Sequence, residues 1–356
     1  MASHPKEITL ALVPRARFDI IDVAHRLAAE FGAALAEYRK VVYCSFHTTA
    51  GYLEQSLCAR LRNSRDHVTP FIRAFQKLFP PEADYRHDQM EYRVELSEEQ
   101  RKCEPRNGDS HLTFIGSGLK NCVTYVNRPG KPVYFIDLDG IHEGGHRTRQ
   151  TRALFYNDEI LVHRDKFAVP VSKHPIDSIN LKDPRYGFFE QLEEWANQFG
   201  VAQGRIDLSL APNEHHAGLT VNEYETLLMR HDLAEVLRNP LKFVAMHGKH
   251  MLLDPKTIPS RTIDHAKFDL VQLFNEVMDA FGVSESVVEK ILSTFIRVPA
   301  SRFLRMKRHV SLLVSADSKS GKARIVHGIY QSPILVQWEN AKGQARHLEV
   351  AFTKFE

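Results

Sequence analysis

The chain runs through one order of elements twice, and this constrains its fold more than any other feature. The first pass reads Ile8-Thr9-Leu10, an amphipathic helical stretch, a strand, then His47-Thr48-Thr49-Ala50-Gly51. The second reads Ile179-Asn180-Leu181, a helical stripe of Phe188, Leu192, Trp195 and Phe199, a strand over 206–210, then Glu214-His215-His216-Ala217-Gly218. So long a period excludes a solenoid and fits two domains from one tandem duplication. A chain of 356 residues can bury a core in each. The expected division is residues 1–166, a proline-bearing linker over 167–178, and 179–356.

Hydrophobic periodicity fills in the elements. Strands are expected over 8–13, 41–46, 111–115, 122–126, 133–138 and 153–162. Helices are expected over 18–38 and 57–78, the second ending at Pro80-Pro81 because proline cannot continue the hydrogen-bond ladder. The stretch 97–109 reads as a loop or short helix. In the second pass, helices are expected over 188–199 and 222–237, and strands near 206, over 309–315, 323–327, 334–336 and 348–352. A helical pair over 268–281 and 284–296 has no counterpart in the first pass and reads as an insertion. Strands and helices without regular alternation give an α+β class, each domain an antiparallel or mixed sheet packed with helices.

Composition excludes several partners. Forty-seven Lys and Arg stand against 44 Asp and Glu, too balanced for a nucleic-acid or membrane surface. No apolar run reaches the ~18 residues of a membrane span. The run Arg302, Arg305, Lys307, Arg308 reads as a charged helix face. Residues 1–7 carry no apolar signal core. Cys44, Cys58, Cys103 and Cys122 form no Cys-x-x-Cys and read as reduced thiols, so the expected location is cytoplasmic.

Nineteen histidines raise the question of a metal. His47 ends a strand, His87 follows a proline-terminated helix in Tyr85-Arg86-His87-Asp88, and His111 lies in Asp109-Ser110-His111-Leu112. Neutral imidazoles suit zinc and other transition metals, and three with an open fourth position make a catalytic geometry. Scattered spacing equally allows three unrelated histidines. Arg147, Arg149 and Arg152 follow Gly144-Gly145; guanidinium forks and free loop N–H groups suit phosphate oxygens, and a solvated loop would look the same. Arg147 and Arg149 are the candidates for cofactor phosphates.

The motifs His47-Thr48-Thr49-Ala50-Gly51, Pro80 with Tyr85-Arg86-His87, His111-Leu112 with Gly118, and Asp137-Leu138-Asp139-Gly140 before the arginines resemble the YjbQ-like family, of the secondary thiamine-phosphate synthase type. The first copy departs from that pattern where Lys131 stands at the family's glutamine and no Trp-Gln occurs. The second copy carries the complementary part: Ala217-Gly218-Leu219-Thr220-Val221-Asn222-Glu223 and Gly328-Ile329-Tyr330-Gln331. Counting back from Ala217 puts Glu214 at the histidine position; Gln337 replaces a glutamate, and His247, His250 and His265 fall in the region of the missing histidines. The resemblance implies an oligomeric α+β protein with His47, His87 and His111 at a metal or anion site.

Three functions follow as expectations. One is a metal-dependent enzyme with thiamine-phosphate-synthase-like transfer and release of pyrophosphate, which needs donors for the departing diphosphate. A second is a metal-dependent hydrolase or lyase on a small phosphorylated or heterocyclic substrate, using metal-bound hydroxide, with Glu54, Asp88 or Asp109 carrying protons. A third is a non-catalytic, oligomeric metal- or anion-binding protein. The divided motifs further predict a composite site, in which Asn222, Glu223, Tyr330 or Gln331 of the second copy serves the first copy's histidines. Asn222 and Glu223 could instead cap a following helix, and Tyr330 could pack as a sheet aromatic.

Overall fold

The computed structural model describes residues 4–238, 304 and 306–356. The expected helices over 268–281 and 284–296, together with His247, His250, His265, Arg302 and Arg305, lie outside the described residues. The chain divides into two compact units: Met1–Asn63, Gly118–Tyr224 and Met306–Glu356 form the first, and Ser64–Ser117 with Glu225–Arg305 the second.

The first unit holds both copies of the repeat. In the first copy, strands β1 (Lys6–Leu12) and β2 (Asp19–Asp22) lead into helix α1 (Val23–Phe31), then β3 (Lys40–Ser45), β4 (Ala50–Tyr52) and α2 (Gln55–Arg60). After the second unit's helices α3 (Arg65–Leu78), α4 (Glu98–Cys103) and α5 (Gly108–Ser117), the copy resumes with β5 (Cys122–Val126) and β6 (Tyr134–Asp137). The ribbon β7 (Ile141–His142) with β8 (Gly145–His146) and the long β9 (Arg149–Tyr156) complete it. The second copy has β10 (Glu159–Pro170), β11 (Asp177–Asn180), α6 (Phe188–Gln198), β12 (Gln203–Leu210) and β13 (Ala217–Glu223). Beyond α7 (Leu233–Arg238), which belongs to the second unit, it closes with β14 (His309–Ala316), β15 (Ala323–Val326), β16 (Gln331–Gln337) and β17 (Ala345–Phe355).

The two copies share one topology. Their main sheets run β1-β9-β3-β5 and β10-β17-β12-β14-β15, and their small sheets β2-β6-β4 and β11-β16-β13. Each first-copy strand of these sheets has its counterpart at the same place; β15 is an added edge of the second copy, and the β7-β8 ribbon has no counterpart among the described residues. Every strand pairing among the described residues is antiparallel. Register aligns the copies residue by residue. Cys44 lies opposite Arg152 and Cys122, as Ser209 lies opposite Glu349 and His309. Alternation sets the core: on β12, Ile206, Leu208 and Leu210 point inward, the period-2 pattern of a sheet with one packed face.

Several expected boundaries move. The helix expected from 18 begins at Val23, because Asp22 caps it by accepting the His25 N–H and Ile20 is buried in β2. The helix expected over 57–78 is broken by Arg62 and Asn63, both at positive φ. The strand expected over 153–162 is two strands, and β10 runs to Pro170, so the first residues of the expected linker pair with β17. In the second unit, 111–115 is helix, not strand: all ten residues of α5 are buried, and a helix buried on every side shows no apolar stripe of 3.6-residue period to reveal it. None of the described helices is long and apolar enough to cross a membrane.

The copies meet through an apolar cluster of Val42, Cys44, Cys122, Leu154 and Tyr156 from the first and Leu313 and Phe355 from the second. The Tyr156 and Phe355 rings stack at 3.8 Å. At Gly328 a Cβ would fall 1.8 Å from the Phe46 carbonyl oxygen, so only glycine permits that approach of the two backbones. Phe355→Ala should cost about 3–5 kcal/mol of stability, read as a lower urea midpoint for the whole first unit; a loss under ~1 kcal/mol would show that the copies do not depend on this contact.

Candidate functional site

His47 lies in the first unit, in the loop between β3 and β4. Its Nε2 accepts the Gln150 N–H at 2.7 Å, and its Nδ1 lies 3.5 Å from Arg149 Nη1. Burial, then Arg149 and Arg147, push its pKa down to about 3, so the ring is neutral at pH 7. Second-copy side chains hold the loop's main chain. Gln331 Nε2 donates to the carbonyls of Ser45 (3.0 Å) and His47 (2.8 Å), while its Oε1 accepts the Gly328 N–H. Asn222 Nδ2 donates to the Thr48 carbonyl at 3.1 Å. Asn222 and Gln331, two of the second-copy residues expected near the first copy's histidines, donate to the carbonyls of the His47 loop. Asn222 ends a strand and caps no helix. Tyr330 is 71 % exposed on a turn and packs in no sheet.

The arginines are largely occupied. Arg149 grips Asp137 with two nitrogens, at 2.7 and 2.9 Å, and also donates to the Asp139 carbonyl. That leaves no open fork for the phosphate expected there. Arg147 pairs with Asp139 at 3.1 Å. In the second copy Glu214 stands where His47 stands in the first: it accepts the His347 N–H at 2.8 Å and meets Arg346 Nη1 at 2.9 Å. Burial opposes its ionisation, but Arg346 and His347 outweigh burial and keep its pKa low. An ion pair fills the place of the imidazole.

His87 and His111 lie in the second unit. The His87 turn is tied down by Asp232, which accepts the N–H groups of Arg86 (2.9 Å) and His87 (3.0 Å); burial pushes the Asp232 pKa up to about 7. Asp88, a proposed proton carrier, accepts the Gly108 N–H at 3.0 Å and so joins this turn to the start of α5, one turn before His111. The His87 and His111 rings meet edge to face with centroids 5.1 Å apart. His87 Nδ1 lies 3.1 Å from Glu225 Oε2, and Nε2 lies 3.1 Å from Asn107 Oδ1. Glu225 also accepts the N–H groups of Leu227 and Leu228, each at 2.7 Å, and lies 3.6 Å from Arg93 Nε. Burial opposes its ionisation, yet these partners hold its pKa low.

Glu225, which the sequence reading did not single out, is the carboxylate on His87; the N–H of Glu223 donates to Asn222 Oδ1. Glu225 follows the Asn-Glu pair by two residues, and a carboxylate N-terminal to Leu227 and Leu228 was the available signal. Asn107 and Arg93 carried none.

A histidine sharing a metal ion needs one nitrogen lone pair free. His47 Nε2 accepts the Gln150 N–H and its Nδ1 faces a guanidinium, and both nitrogens of His87 have side-chain partners. So arranged, these two do not fit a metal. Among the described residues no group of three or more His, Cys, Asp or Glu is set to hold one. The neutral state of His47 gives a prediction. Its folded pKa, about 3, lies below the ~6.5 of an unfolded histidine. Its contribution to stability is complete above pH ~6.5 and falls as pH drops towards 3. In histidine-detected NMR its ring should remain unprotonated at pH 5; titration near 6.5 would contradict the geometry.

No family profile matches this chain, and no curated protein does. Solved structures similar to it include a YbjQ-like protein of unknown function from Sulfolobus solfataricus P2, at 17 % identity over 55 % of this chain and 99 % of its own, TM-score 0.30. Another is an uncharacterized conserved protein of the yjbq/upf0047 family from Clostridium acetobutylicum, at 12 % identity over 54 % and 99 %, TM-score 0.26. A hypothetical protein from Aeropyrum pernix K1 is similar at 16 % identity over 53 % and 97 %, TM-score 0.27.

Proposed function

We propose that this chain is a YjbQ-like enzyme that moves protons on a small phosphorylated or heterocyclic substrate, with His87 and Glu225 as its proton-handling pair. One observation carries the reading: a carboxylate, itself held by two backbone N–H groups, lies 3.1 Å from Nδ1 of a fully buried histidine. Such a carboxylate fixes the ring and stabilises the imidazolium formed when His87 takes a proton. His111, in ring contact with His87, extends the pair towards a second imidazole. Asp232 and Asp88 are positioning residues; they hold backbone N–H groups.

A metal-centred reading has one supporting feature, since a carboxylate on Nδ1 is also how ligating histidines are oriented. Both readings require Asn107 to release Nε2. Elemental analysis of purified protein separates the two readings: stoichiometric zinc or another transition metal, lost in His87→Asn and His111→Ala, would replace the acid–base reading.

The functional test is a substrate screen of phosphorylated and heterocyclic metabolites, followed by Glu225→Gln and His87→Asn on whatever is turned over. The expected loss is ~10²–10⁴-fold in kcat, with Glu225→Gln also shifting the pH profile. Turnover unchanged in Glu225→Gln would remove the pair from the chemistry, and no turnover of any compound would favour the non-catalytic binding protein.

A further inference from the structure

The same sheet face differs in character between the two copies. In the first it presents Val42, Cys44, Cys122 and Leu154, all buried against Leu313 and Phe355. By strand register the same positions in the second copy are Asp207, Ser209, His309 and Ala351. In the second copy this face is apolar at Leu313 and Phe355, where it meets the first copy, and is small and polar beyond them, where a groove of about 1180 Å³ lies over it. All of its lining residues belong to the first unit.

Strand pairing sets out the groove floor. One row runs Arg164, Ala351, Asp207, Ser311; the next runs Lys166, Glu349, Ser209, His309. Three interstrand steps of ~4.8 Å put the two ends about 14 Å apart. The short Ser209, Ser311 and Ala351 make the middle low. Arg164 and Lys166 are exposed at one end and have no ion-pair partner within 4 Å among the described residues. At the other end Lys120, with a side chain only 5 % exposed, pairs with Glu54 and lies 2.9 Å from His309 Nε2. Burial and then Lys120 lower the His309 pKa, so its neutral ring accepts from the lysine. Arg205, held by Asp207 and Glu159, donates to Thr124 on the far wall. Two cations without an ion-pair partner among the described residues face the buried Lys120 and the exposed His309 across a low floor that also carries the Asp207 and Glu349 carboxylates, and together they form a two-ended site.

We infer that this groove binds a small, extended, doubly anionic metabolite of the bisphosphate class, one anionic end on Arg164 and Lys166 and the other at Lys120 and His309. The site is independent of His87 and Glu225, and either assignment can fail without the other.

The test uses the full chain, with a hexose bisphosphate as probe and inorganic sulfate as control, by calorimetric titration at 0.15 M salt. The bisphosphate should bind and sulfate should bind at least tenfold more weakly. The exposed double reversal Arg164→Glu/Lys166→Glu should weaken the bisphosphate at least tenfold, and Ser209→Phe, which fills the floor without changing charge, should do the same. A thermal melt confirms that each variant is folded, and His87→Asn should bind as the parent does. No binding of the bisphosphate, or equal binding by parent and both variants, overturns the inference and leaves the face a solvated sheet surface.

Discussion

The arrangement of the first unit depends on one side chain reaching between the copies. Gln331 enters from the second copy and donates to the carbonyls of Ser45 and His47, where β3 gives way to the His-Thr-Thr loop. Buried carbonyls without donors are costly, ~1–3 kcal/mol each, so this amide fixes where the loop can lie. Asn222 does the same for Thr48. With the loop set, the His47 ring falls between the Gln150 N–H and Arg149 and becomes a neutral histidine in positive surroundings. Gly328 is the steric condition for this contact, since any side chain there would strike Phe46.

Duplication explains how the copies came to differ. Both keep a strand-end residue, an arginine and a backbone N–H in the same relation, but the residue is His47 in one and Glu214 in the other. A carboxylate forms an ion pair with Arg346 where an imidazole is held apart from protons beside Arg149. The two segments of the second unit, 64–117 and 225–305, leave the repeat at corresponding points, before β5 in one copy and before β14 in the other. In that unit Glu225 lies on His87, Asp232 on the His87 turn, and Asp88 on the start of α5.

Much of this was legible in the sequence. The repeat, the α+β class and the position of Glu214 follow from spacing, because strand periodicity and loop motifs are local and survive divergence. The division of motifs pointed to second-copy residues near the first copy's loop, and the amides of Asn222 and Gln331 hold its backbone. Less legible were features set by tertiary burial. The α5 segment reads as a strand because a helix buried on every side and a buried strand look alike over five residues. Glu225 was overshadowed by the adjacent Asn-Glu pair, and only the fold shows which carboxylate turns towards His87. The occupation of Arg149 by Asp137 is a long-range pairing that no local pattern encodes.

The measurement that bears most directly on the divided labour between copies is the titration of the His47 ring in Gln331→Leu, followed by histidine-detected NMR. If Gln331 sets the loop, removing its two donated bonds lets the ring leave the Gln150 N–H and Arg149, and its pKa should rise from about 3 towards the ~6.5 of a free histidine. A folded Gln331→Leu protein in which His47 stays unprotonated at pH 5, as in the parent, would contradict the account.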